Sequence, residues 1–398
     1  MRTGMASLPL HRGHCPPWLF QHMKRLGAAI LQVIAEEFGP EEILRRLADP
    51  VWFQALGCVL GFDWHSSGLT TTVCGALKEG LAERSQDVGV FLAGGKGRSS
   101  RRTPEEIARA AERHGLGVDV PALQYASRMA AKVDTAALQD GYDLYHHFFA
   151  FTASGAWAVV QQGMNEETRW ARRYHWLGEK EKNFVCEPHS GVCGPRAGAV
   201  LNMVAAESER ARAASVALVK EKPEAVLREL RRIEKGALTQ PEALAVRQGG
   251  GGAPLLSESG QLSLPGMGLR SLSLPAGHAV PDADRLNRVL QRLYEEPPRD
   301  FAGLLAAPGV GPATVRALAL VAEVAYGAPP SFRDPVRYSF AHGGKDGHPF
   351  PVNRADYAHS WQVLEDALRR ARLGNREKLV ALRRLAAWVK GERQPPRP

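Results

Sequence analysis

Between Gln248 and Asp282 the chain carries neither a helical nor a strand period: Gly249 to Gly252 run into repeated Ser-Leu-Pro units. A stretch of that composition cannot bury enough apolar surface to offset the cost of ordering it, and it reads as a flexible linker. The 398 residues then divide into 1–247, the linker 248–282, and 283–398. Each flanking part is long enough for a core of its own.

The first part predicts an α+β domain, mostly helical with a β-hairpin or small sheet. Amphipathic spacing gives helices from Trp18 to Phe38, Pro40 to Ala48, about Pro50 to Gly57, and Thr72 to Glu83. Gly61 to Gly68 has no period and reads as an ordered loop. Val88 to Ala93 is a short apolar strand, and Thr103-Pro104-Glu105-Glu106 is a capping box opening a helix to His114. Pro121 to Lys132 continues as helix. Tyr142 to Thr152 and Trp157 to Gln162 form a hairpin about Ala153-Ser154-Gly155. Glu207 to Lys235 is one long charged helical stretch.

The second part predicts an all-α domain built around Leu304 to Arg316, a glycine-flanked turn with the character of a helix-hairpin-helix. Gly309 and Gly311 let the backbone turn tightly and a ligand approach closely. Pro312 suits the first turn of the following helix, whose N–H groups have no intrahelical partner. A phosphate oxygen fits in front of those groups. Gly309, Val310, Gly311, Ala313, Thr314 and Arg316 are the candidate contacts to a nucleic-acid backbone.

Charge agrees with a polyanionic partner. Lys and Arg number 51 against 42 acidic residues, a net charge of +9, with the excess concentrated in the last residues and in Lys96, Arg98, Arg101 and Arg102. Gly94-Gly95-Lys96-Gly97, between a strand and a helix, is a second phosphate cradle, with Lys96, Arg98 and Arg101 as its contacts. It lacks the spacing of a Walker loop, which disfavours nucleotide hydrolysis of that type. The 5 cysteines are odd in number and scattered, so reduced thiols and a cytoplasmic protein are expected, nucleoid-associated if it binds DNA. No stretch reads as a signal peptide or membrane span. An oligomer is compatible with the sequence but not derivable from it.

Two constellations carry the residue types of phosphodiester cleavage. The loop holding Asp63, His65, Ser66 and Ser67 offers a metal ligand and a base, or equally a set of helix caps. Asp134, Asp140, Asp143, His146, His147, Gln161 and Gln162 cluster about the hairpin. On a regular strand Asp143 and His147 share a face. The expected catalytic set is Asp63, His65, Asp140, Asp143 and His147, with Asp63, Asp143 and His147 holding Mg²⁺ or Mn²⁺. The competing reading makes the paired histidines core residues.

Trp52 to Gly68, Gln139 to Tyr142, Tyr145 to His147, Val159 to Asn165 and Ala341 to Gly347 together resemble the domain-of-unknown-function family numbered 763. The likeness covers nearly the whole chain apart from the linker and the extreme C-terminus. The reading attached to it is a structure-specific DNA endonuclease of DNA repair or processing. Pro308 to Ser339 is also similar to the hairpin region of helix-hairpin-helix DNA glycosylases, and Asp334 matches their catalytic aspartate. Ala307 stands where those proteins carry a larger apolar residue. Ala313 occupies the position of the lyase-type nucleophilic lysine, so Schiff-base chemistry is not expected. The combined expectation is a DNA-binding, metal-dependent deoxyribonuclease that selects DNA by structure rather than sequence. The alternatives are a glycosylase using Asp334 and a non-catalytic DNA-binding protein.

Overall fold

The computed structural model describes residues 15–62, 67–178, 183–197, 200–239, 255–256, 262–263, 283–336, 354–371 and 374–389. The chain opens with helices Pro17–Phe38 (α1), Pro40–Ala48 (α2), Pro50–Val59 (α3), Gly68–Gly80 (α4) and Ser85–Val88 (α5). Strand Val90–Lys96 (β1) leads into helices Arg98–Arg101 (α6), Thr103–Arg113 (α7) and Val120–Lys132 (α8), then a π-helical turn over Val133–Ala137. The remaining strands are Leu138–Gln139 (β2), Asp143–Thr152 (β3), Trp157–Asn165 (β4), Trp170–Gly178 (β5), Gly191–Cys193 (β6) and Leu201–Asn202 (β7). Helices Glu209–Leu218 (α9) and Pro223–Thr239 (α10) follow, then a pair of two-residue strands, Leu255–Leu256 (β8) and Leu262–Ser263 (β9). Helices Ala283–Glu295 (α11), Phe301–Ala306 (α12), Pro312–Tyr326 (α13), Arg354–Arg370 (α14) and Asn375–Val389 (α15) complete the described chain.

The chain is mainly helical around a small antiparallel sheet, as the composition and periods predict. Five strands lie in the order β1-β3-β4-β5-β6, and both faces are covered. Phe149, Phe151, Val159, Tyr174 and Trp176 belong to one core, which includes residues of α8 and of α11 to α13. Phe148, Ala150, Ala158 and Val160 belong to the other, with α1 to α4 and residues of α14 and α15. Double coverage explains why β3 is apolar almost without alternation: each side chain finds a core whichever way it points. Residues from both sides of 248–282 contribute to both cores. Apart from β8 and β9, that proposed linker lies outside the described residues.

Three local readings change. The long charged stretch is two helices, because Pro223 cannot continue α9 and instead starts α10. The capping box does not form: Thr103 Oγ1 donates to the Ser100 carbonyl at 2.7 Å. Glu106 instead accepts from the Gly94 amide at 2.8 Å and from Lys78 Nζ at 2.6 Å. The sheet is also larger than the predicted hairpin, extended by β1, β5 and β6. All five cysteines are free thiols. Among the described residues no helix is long and apolar enough to cross a membrane.

Helix α13 buries one carboxylate at a cost. Glu323 is 3% exposed, and neither carboxylate oxygen has a hydrogen-bond partner. Burial pushes its carboxyl up to about 7. A carboxyl raised in the folded state adds stability below its unfolded pKa, and that stability is lost as pH rises through the folded value. Glu323→Gln is therefore expected to gain about 1–2 kcal/mol at pH 8 and little at pH 5. Urea unfolding at the two pH values measures the difference.

Candidate nucleic-acid interface

The turn between α12 and α13 is built from its ends inward. Asp300 caps α12 by accepting from the Gly303 amide at 2.7 Å. Val310, 1% exposed, anchors the turn in the core. Gly309 sits at φ +86°, and a Cβ there would lie 3.2 Å from Val289 Cγ2. Gly311 is the N-cap of α13, extended at φ −146°, with no side chain to cap the helix. The first bond of the helix runs from the Val315 amide to the Gly311 carbonyl. The Ala313 and Thr314 amides in that first turn thus have neither an intrahelical acceptor nor a cap. A Cβ built on Gly311 meets nothing within 4 Å, so the approach is open.

The cation at this turn differs from the one the sequence nominates. Arg316 is 4% exposed, and its guanidinium donates to Gln139 Oε1. Gln139 in turn donates to the carbonyls of Ala136 and Pro312. Arg316 therefore ties α13 to the segment before β3 and does not reach outward. Its place at the turn is taken by Arg292, whose Nη1 donates to the Pro308 carbonyl at 3.1 Å. Arg285, Arg288 and Arg292 are all exposed and lie on one face of α11. That i, i+3, i+7 spacing was the available signal.

The glycine-rich segment is the end of β1: Gly94, Gly95 and Lys96 pair with Phe148, His147 and His146 of β3, and Gly97 follows. Gly94, Gly95 and Gly97 have φ of +90°, +149° and +60°. A Cβ on Gly94 would fall 2.2 Å from the His147 carbonyl oxygen, so only glycine fits. Lys78 Nζ donates to the Gly94 carbonyl at 2.7 Å, which with Glu106 fixes this end of the strand. Lys96, Arg98 and Arg101 are exposed, and Lys96 Nζ lies 5.8 Å from the Tyr145 ring centroid.

The predicted catalytic set does not assemble among the described residues. Asp63 and His65 lie outside them. Asp143 is exposed at the start of β3, and a bulge between Leu144 and His146 reverses the expected facing. Asp143 pairs with Met164 and His147 with Gln161, which puts them on opposite faces. Asp140 is 4% exposed; its Oδ2 accepts from Arg172 Nη1 and from the Tyr174 hydroxyl, each at 2.8 Å.

His147 is committed on both nitrogens. Nδ1 meets Gln161 Oε1 at 2.7 Å and Nε2 meets Ser127 Oγ at 2.8 Å. Gln161 Oε1 can only accept, so Nδ1 carries the proton and Nε2 accepts from the serine. Burial holds the ring down to about 4, so it is neutral and its one lone pair is taken. Gln161 continues the chain to Asp134 Oδ2, which also accepts from Trp176 Nε1 at 3.0 Å; His189 Nε2 meets Asp134 Oδ1 at 2.5 Å. Asp134, His147 and Gln161 thus converge as a buried network under the sheet.

His146 points to the other face, with neither ring nitrogen bonded, and burial lowers it to about 3. His175 is held between the Leu47 carbonyl and Arg173 Nε, each at 2.8 Å. Among the described residues no group of three His, Cys, Asp or Glu is placed to hold a metal ion.

The chain belongs to the family described as "Protein of unknown function (DUF763)", whose model matches residues 4–352. Comparison with curated proteins and with solved structures finds no match.

Proposed function

We propose that this chain binds DNA, holding the sugar–phosphate backbone on the turn between α12 and α13, which acts as a helix-hairpin-helix. The observation that carries the reading is the uncapped start of α13: Gly311 offers no side-chain acceptor to the first-turn amides, and Arg292 stands beside the turn on the Pro308 carbonyl. Unpaired amides at the positive end of a helix dipole suit a phosphate oxygen. The +9 net charge and the exposed arginines of α11 supply attraction that is blind to base identity. Selection would then rest on DNA shape, such as bubbles, forks or single-stranded regions.

Metal-dependent cleavage remains the activity attached to this binding, to be decided by assay. Its set now has Asp143 as the exposed carboxylate among its described members, with Asp140 and His147 occupied within the fold. The glycosylase alternative meets a geometric obstacle. Asp334 Oδ2 accepts from Arg172 Nη2 at 2.8 Å and from the Ala197 amide at 2.6 Å. Its Oδ1 accepts from Arg172 Nη1 at 3.2 Å and the Val336 amide at 3.0 Å.

The test is fluorescence anisotropy of labelled duplex, bubble, fork and single-stranded DNA across a salt series. Binding should weaken as salt rises, and Arg288→Ala/Arg292→Ala should lower the log–log salt slope by about 1–2. Failure to bind any of the four DNAs at low salt refutes the proposal. Parallel lanes with Mn²⁺ ask separately whether bound DNA is nicked.

A further inference from the structure

On the sheet face covered by α1 to α4, away from the α12–α13 turn, a groove of about 560 Å³ opens beside the glycine-rich end of β1. We propose that it binds a nucleoside 5′-phosphate. Its lining is mainly apolar and includes Phe20, Phe148 and Gly75, together with the hydroxyl residues Thr71, Thr72 and Ser99 and the cation Lys96. An aromatic, largely apolar lining with a few hydroxyls and a cation has the polarity of a nucleotide, whose base would pack on the apolar part and whose phosphate would meet Lys96.

Three observations support this occupant over a purely apolar one. Lys96 is exposed, with its Nζ 5.8 Å from the centroid of the Tyr145 ring. The other lysine of the groove, Lys78, is already neutralised by Glu106 at 2.6 Å, so Lys96 is the cation left for a phosphate. Arg98, Arg101 and Arg102, which follow Lys96 in the chain, are exposed as well and make this part of the surface strongly positive. Gly94 and Gly95 line the groove with bare backbone, at positive φ that L side chains rarely adopt. His146 lies on the same sheet face, cross-strand from Lys96 and two residues from Phe148, and is 1% exposed with both ring nitrogens unbonded.

The volume lies within the usual range for small-molecule sites, roughly 300–1,000 Å³. The same chemistry could come from a free nucleotide or from the 5′-phosphorylated end of a strand, and the experiment separates the two. Isothermal titration of the full chain would use AMP, ADP and ATP, inorganic phosphate, and a 5′-phosphorylated oligonucleotide beside its unphosphorylated twin.

Lys96→Glu is expected to weaken nucleotide binding by about tenfold or more, the worth of one charge-assisted contact. Gly75→Leu should abolish it by filling the groove. A Cβ there meets only the edge of Phe20, at 3.8 Å, and leucine favours helix over glycine, so the variant should fold, as a thermal melt will confirm. Gly75→Leu should also leave DNA affinity at the α12–α13 turn unchanged. Binding of the phosphorylated oligonucleotide but not the mononucleotides, sensitive to the same variants, assigns the groove to a strand end. No nucleotide binding to the unaltered chain, equal binding of inorganic phosphate, or binding indifferent to both variants overturns the proposal.

Discussion

Arg172→Met is expected to lower the stability of the fold by about 3–5 kcal/mol at neutral pH, the usual cost of breaking a buried ion pair from one side. Arg172 is fully buried and bridges two carboxylates, Asp140 at 2.8 Å and Asp334 at 2.8 Å. It also donates to the Pro195 carbonyl and stacks 4.6 Å from the centroid of the Tyr142 ring. Methionine would fill much of the space but leave both carboxylates without their cation. Asp334 belongs to the segment after α13, which further joins β7 through the Asn202–Ser331 bridge and the Asn202 bond to the Arg333 carbonyl. The variant should therefore loosen that segment first.

The loss should depend on pH in a defined direction. Burial already pushes the Asp140 carboxyl above its usual range, and the Arg172 charge is the main opposing influence. Removing Arg172 raises that carboxyl further. A raised acid keeps its stabilising contribution below the unfolded pKa and loses it as pH climbs through the folded value. The gap between Arg172→Met and the unaltered chain should thus be smaller at pH 4.5 than at pH 7.5. Acid effects from the buried histidines occur in both proteins and cancel in the difference. Adding Asp140→Asn and Asp334→Asn should recover part of the loss. Urea unfolding curves read all of this, and a gap that does not narrow in acid would remove the ion triad as its cause.

The same arginine shows where the sequence stopped being legible. Trp170 to Gly178 contains Arg172 and Arg173 in succession, which interrupts the apolar pattern of a buried strand, and β5 was not assigned from the sequence. Both are fully buried, Arg172 against two aspartates and Arg173 against Gln54, Thr70 and the Pro50 carbonyl. Their partners lie on distant helices and loops, and no local pattern announces them.

The β3–β4 hairpin was readable because its turn chemistry and aromatic content are local. The bulge after Leu144 was not, since its extra residue is defined only by pairing with β4. One unseen residue therefore sent Asp143 and His147 to opposite faces, where a regular strand would have kept them on one. The α12–α13 turn was readable down to its glycines, whereas Arg316 was assigned outward although Gln139, far away in sequence, draws it in. The sharing of α11 to α15 between two cores follows from a sheet open on both faces, which no helical period discloses.

Gly311→Asp is expected to separate folding from DNA binding more sharply than any other change at the turn. Gly311 has an extended backbone that any residue adopts, and a Cβ there is unobstructed. Aspartate is a preferred N-cap: its carboxylate can accept from the Ala313 or Thr314 amide and complement the helix dipole. The melting temperature should stay level or rise, since Asp exceeds Gly at this position by a few tenths of a kcal/mol.

The same carboxylate would occupy the place proposed for a phosphate oxygen and repel what remains of the strand. DNA affinity should fall by about tenfold or more, with a shallower salt slope. Gly309 offers no such separation, because its φ of +86° and the 3.2 Å approach to Val289 make any side chain there a folding defect. Anisotropy titration beside a thermal melt measures both halves of the expectation. A folded Gly311→Asp protein that binds DNA as tightly as the unaltered chain would mean the backbone is held elsewhere, and the bare start of α13 would lose its role.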